Sequence, residues 1–186
     1  MKPQPALFFG SATKNTIFPD YFTLAVSCNP NNTDITMQFF TKDVTTYGML
    51  HLTQILETYL PTILESSCFN EQNLPFNEEV IHTELGHLFE HILLEYLCKE
   101  KINAGNKEAV FRGVTKWNWQ KDTVGTFHIQ VDVEVREKEL LYFALEQSTL
   151  LLKRIIHYHN FLLPYSSLMK PSSLNSLVSS SEKQMV

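Results

Sequence analysis

Glu84-Leu85-Gly86-His87-Leu88-Phe89-Glu90-His91-Ile92-Leu93-Leu94-Glu95-Tyr96 is an uninterrupted helix-compatible run near the middle of the chain. Leu85, Leu88, Ile92 and Tyr96 recur at helical spacing and give it one apolar face. The helix predicted around this run extends from about Glu79 to Lys101, and Gly105 closes the turn after it. Upstream, the β-rich stretch from Tyr21 to Cys28 meets the turn cluster Asn29-Pro30-Asn31-Asn32, and the segment from Ile35 to Phe40 follows as the second arm of a hairpin. Asp43 is placed to cap a helix through about Leu64, with Leu50, Ile55, Leu56 and Tyr59 as its buried stripe and Pro61 as a kink or stop. Residues 66–78 read as a loop.

Downstream, the segments from Val110 to Trp119 and from Phe127 to Val135 alternate as paired strands, connected from Asp122 to Gly125. A Leu-rich helix from Glu137 to Asn160 closes the pattern. The order strand-strand-helix-helix-strand-strand-helix predicts an α+β fold, an antiparallel sheet packed with three long helices in a single domain. Residues 1–20 are expected to be a loose N-terminal arm, residues 21–163 the domain, and residues 164–186 a disordered Ser-rich tail.

Composition narrows the function classes. The chain has 186 residues, enough to bury a core without covalent staples. With 15 Lys and Arg against 20 Asp and Glu, and no basic cluster, it is poorly suited to nucleic acid or to an anionic membrane. Cys28, Cys68 and Cys98 are odd in number and unrelated in spacing, so no disulfide framework is implied and a cytoplasmic location is expected. The apolar run from Ala6 to Phe9 stops at Gly10, too short for a signal peptide or a membrane span.

The chemistry lies in the central helix. His87-Leu88-Phe89-Glu90-His91 has H-x-x-E-H spacing. Four residues are about 1.1 helical turns, so both imidazoles leave one face about 6 Å apart along the axis. From there two ring nitrogens can reach one metal ion at about 2.0–2.1 Å. Glu90 stands beside such an ion, where a carboxylate can accept a proton from a metal-bound water. Zn2+ suits the set first, although other divalent metals are compatible with it.

Catalytic zinc takes three protein ligands as a rule. Glu95 shares the histidine face but lies too far along one straight helix to join them, so it is expected to orient an imidazole N–H, and Glu84 to do the same from the other side. Glu146 is the candidate third ligand. It sits among Phe143, Ala144, Leu145 and Leu150 on the last helix, where a buried carboxylate would need a partner. An outward-pointing Glu146 is the even alternative.

The stretch from Glu84 to Glu95 resembles the N-terminal domain of cyanophycin synthetases, whose pattern is close to G-H-x-x-E-H-x-x-x-E. The similarity continues through Phe111-Arg112-Gly113 and the strand from His128 to Glu134. It reaches the helix from Leu140 to Ile155, where Glu146 falls on that family's G-x-E-A-G glutamate, with Ala144 and Ser148 in place of the glycines. It covers roughly residues 45 to 158, and the ATP-grasp and ligase regions of complete synthetases have no counterpart in this sequence. The arrangement is also similar to pitrilysin-type metallopeptidases. The resemblance implies His87, His91 and Glu146 as metal ligands, Glu90 as catalytic base and Arg112 as a basic residue before a core strand.

Two functions follow from these readings. One is a zinc-dependent peptidase or amidohydrolase acting on a peptide or an Arg/Asp-rich polymer. The other is a non-catalytic domain that binds such a chain or serves as a scaffold. Pitrilysin-type enzymes complete their cleft with a second domain, which a homodimer could supply here. S-ribosylhomocysteine lyases also use H-x-x-E-H, but with a cysteine ligand well downstream, and here only Cys98 follows the motif.

Overall fold

The structure is a computed structural model that describes residues 7–9, 19–68 and 74–168, with side chains described for 19–68 and 74–161. Five antiparallel strands form one sheet in the order β1-β2-β3-β5-β4: β1 Leu7–Phe9, β2 Phe22–Cys28, β3 Thr33–Phe39, β4 Gly113–Lys116 and β5 Thr126–Val131. The helices are α1 Leu52–Tyr59, α2 Phe76–Glu79, α3 Leu85–Asn103 and α4 Lys138–Leu168. The fold is α+β.

Strand alternation decides which face of the sheet is covered. Val26, Ile35 and Ile129 form one cross-strand row, and Leu24, Met37 and Phe127 the next; all six are buried. Thr23, Asp34, Thr36, His128 and Gln130 point to the other, exposed face. α3 packs against the covered face and against α4. Its contact with β5 requires Gly86, because a Cβ there would stand 2.3 Å from the Phe127 ring. α4 turns Leu141, Ala144, Leu145, Ser148, Leu152 and Ile155 inward.

The hairpin, the β4–β5 pair and the two long helices agree with the pattern of the sequence, and the departures have physical causes. Residues 43–51 are not helical. Gly48 and His51 have φ of 75° and 61°, outside the right-handed helical region. The segment instead braces the start of α3: the Val44 carbonyl accepts the Leu85 N–H at 2.7 Å, and the Thr83 carbonyl accepts the Thr46 N–H at 2.8 Å. α1 therefore begins at Leu52, buries Leu52 and Leu56, and stops before Pro61. The expected loop over 66–78 holds the short α2, and α3 starts at Leu85 because Glu84 is extended (φ −80°, ψ 149°). Gly105, with φ 93°, lies in the turn after α3. Within the expected N-terminal arm, Leu7–Phe9 pairs with β2 through Leu7↔Val26. α4 runs past Pro164, whose missing N–H forfeits one helical bond. Asp20, also in that arm, accepts a hydrogen bond from Lys153 of α4, and residues 1–6, 10–18 and 169–186 lie outside the described residues.

Candidate metal centre

α3 presents His87 and His91 on one face, as their spacing requires, with ring centroids 4.9 Å apart. Each imidazole has a hydroxyl on Nδ1: Thr83 Oγ1 at 2.7 Å for His87 and Ser66 Oγ at 2.9 Å for His91. A hydroxyl that accepts from Nδ1–H leaves Nε2 as the lone pair free to bind a cation. His91 is further fixed by Phe76, stacked on its ring at 3.7 Å and 12°. Burial, with His87 close by, pushes His91 down to about 3. Burial also lowers His87, against a smaller upward pull from Glu79, whose Oε1 is 3.9 Å from Nδ1. Neutral imidazole is the form a metal ligand needs.

A thiol supplies the third candidate donor. Cys68 Sγ lies 3.5 Å from His87 Nε2. Cys68, His87 and His91 each offer a ligand atom, all within 4.8 Å of one another. A tetrahedral zinc with bonds of about 2.3 Å to sulfur and 2.0–2.1 Å to nitrogen holds its S and N donors about 3.5 Å apart, so the Cys68–His87 distance fits such an ion.

Glu146 is not part of this group. It is exposed on α4, while Ala144, Leu145 and Ser148 are buried. Two residues are about 200° of helix, so a residue midway between inward-facing Ala144 and Ser148 must face outward. Glu95 and Glu84 also differ from expectation. Glu95 accepts the Thr62 hydroxyl, and Ser66 takes the imidazole nitrogen that Glu95 was expected to hold. Thr83 and Glu79 stand at His87 where Glu84 was expected, although Glu84 borders the same cleft.

Glu90 is buried between α3 and β4. The Thr115 hydroxyl donates to Oε2 at 2.5 Å. Gly113 leaves room for the carboxyl, since a Cβ there would stand 2.7 Å from Oε1. Burial raises Glu90 to about 7, and the Thr115 hydrogen bond works against that rise. A neighbouring cation would lower it again and leave a carboxylate able to take a proton.

These groups open onto a cleft of about 1230 Å3 between the histidine face of α3 and residues 110–117. Arg112 borders it as an exposed side chain, while its backbone N–H bonds to Asp132 Oδ1 at 2.7 Å. Cys68, Ser66 and Thr115 carry no motif relative to His87 or His91. Thr83 did carry a signal: it stands four residues before His87, as His87 stands four before His91. Trp117 and Trp119 pack against Phe127, with centroids at 5.8 and 5.7 Å.

No protein-family model matches the chain, and no match was found among curated proteins. No helix among the described residues is long and apolar enough to cross a membrane.

Proposed function

We propose that the chain is a metal-dependent hydrolase of amide bonds. Cys68, His87 and His91 are its ligands and Glu90 its general base. The observation that carries this reading is the convergence of three ligand atoms within 4.8 Å, with the buried Glu90 carboxyl on the same helix and cleft. Zinc is the first choice for a thiolate and two imidazoles, and it would supply Lewis acidity and a water acidified to a pKa of about 7. The protein's own groups do the rest. Thr83 and Ser66 hold the two rings with Nε2 available. Thr115 aims the Glu90 carboxyl, which takes the proton of the attacking water and passes it to the leaving nitrogen. Peptides and Arg/Asp-rich polyamides are the substrate class proposed.

Metal analysis of untagged protein, paired with cleavage of mixed peptide and Arg/Asp polyamide substrates, tests this. About one zinc per chain is expected, lost in His87→Ala and Cys68→Ser, with cleavage abolished by Glu90→Gln while the metal stays. Metal content indifferent to His87 and Cys68 would refute the site. Bound metal without cleavage of any amide would refute the hydrolase and leave a binding domain.

A further inference from the structure

The cleft beside Glu90 wraps around a sheet edge that is free among the described residues. β4 is the terminal strand, and residues 110–117 border the cleft without a break. Gly113 and Thr115 lie on the helix side of β4, against Glu90, while Val114 and Lys116 are exposed on the other side. A cleft bordered by both sets meets the strand along its edge rather than on either face.

The ladder shows which backbone groups point there. In an antiparallel pair, residues alternate between exchanging hydrogen bonds with one neighbour and turning them to the opposite side. Phe39 N–H bonds to the Gly125 carbonyl, and Asp132 N–H to the Arg112 carbonyl. With Ile35↔Ile129 and Val114↔Gln130 in register, odd-numbered residues of β5 bond to β3 and even-numbered ones to β4. Val114 and Lys116 are thus committed to β5, and Gly113 and Thr115 turn their N–H and C=O groups to the free edge. Among the described residues no loop backbone bonds to these groups. The two residues with open main-chain groups are also the two that touch Glu90.

Building on the hydrolase reading, we propose that the substrate is an extended polypeptide that adds to β4 as a sixth strand. Main-chain hydrogen bonds to Gly113 and Thr115 hold it and set one of its carbonyls beside Glu90 and the Cys68–His87–His91 donors. Strand addition of this kind draws affinity from backbone bonds and selectivity from alternate side chains. The exposed Val110, Val114 and Trp117 along the run offer apolar contact to those side chains. Small amides and folded surfaces, which cannot present a free strand, are excluded as good substrates.

The test uses the zinc-loaded full chain with acetyl-Leu-Ala-Leu hydroxamate, its singly N-methylated forms, and acetohydroxamate as the chelating group alone. The peptide hydroxamate is expected to bind at least about tenfold more tightly than acetohydroxamate. N-methylation should cost about tenfold at amides facing β4 and little at those between them, a period of two. In 15N spectra the Gly113 and Thr115 amide protons should gain protection from exchange, while those of Val114 and Lys116 stay as they were. A peptide tail that adds nothing, or an even response to N-methylation with no change at Gly113 and Thr115, overturns the proposal. If acetohydroxamate itself fails to bind, the metal reading is what fails. The amide-terminated peptide at millimolar concentration then decides the edge by the same two protons, whose protection supports strand addition and whose indifference overturns it.

Discussion

Thr115 donates its hydroxyl to Glu90 Oε2 at 2.5 Å, linking the edge strand to the helix that bears both histidines. That bond opposes the rise that burial imposes on Glu90. Thr115→Val should therefore push Glu90 above about 7. A 13C titration of the Glu90 carboxyl in metal-free protein reads this directly. An unchanged or lower value would remove Thr115 from the site's electrostatics.

Metal-free protein should show two opposing pH dependences of stability. His91 is held at about 3 against an ordinary 6.5, so between those values the unfolded chain binds the extra proton. Its contribution is complete above 6.5 and is lost as pH falls toward 3. Glu90 is raised to about 7 from 4.5, so there the folded chain binds the extra proton. Its contribution is complete below 4.5 and is lost as pH rises through 7. Urea titrations in chelator should show that Glu90→Gln steepens the gain of stability between pH 4.5 and 7, whereas His91→Gln flattens it between 3 and 6.5.

The hydroxyls behind the imidazoles should tune metal affinity. Ser66→Ala and Thr83→Ala are each expected to weaken zinc binding by about 10–100-fold, and Cys68→Ser to weaken it more than either. Competition with a chromophoric chelator measures all three. Glu146→Gln, on the exposed side of α4, should leave affinity unchanged.

Two glycines hold the site by what they lack. Gly86→Ala would place a Cβ 2.3 Å from the Phe127 ring, and Gly113→Ala would place one 2.7 Å from Glu90 Oε1. Each should cost about 1–3 kcal/mol, seen as a lower urea midpoint at unchanged slope. Gly113→Ala should also displace the Glu90 carboxyl and reduce cleavage, which Gly86→Ala reaches only through the packing of α3 on β5.

Local pattern carried most of the architecture. Alternation from Phe22 to Phe39 and helical spacing through α3 and α4 are signals contained within single elements, and the sheet and helices follow them. The structure departs from local pattern where tertiary bonds compete with local preference. Residues 43–50 have a helix-like pattern, yet Val44 and Thr46 bond to Leu85 and Thr83 instead. The site divided along the same line. His87 and His91 are legible as a pair because four residues of one helix set both rings on one face. Cys68 is not, because its approach to His87 depends on how the turn at residues 60–68 lies against α3, which no spacing encodes. The apolar neighbours of Glu146 do not reveal its helical phase; Ala144 and Ser148 on either side, both buried, do.

Cys68 and His87 are 19 residues apart in sequence yet 3.5 Å apart in space. A cation clasping both would close that stretch of chain into a ring, as a cross-link does, and withdraw much of the freedom it gains on unfolding. The segment that carries α2, and the Phe76 ring that braces His91, would then be anchored by the ion itself. Stripping such an ion should accordingly free α2 and the Phe76 ring along with the three donors, so that limited proteolysis at α2 would report its loss before any change in the sheet.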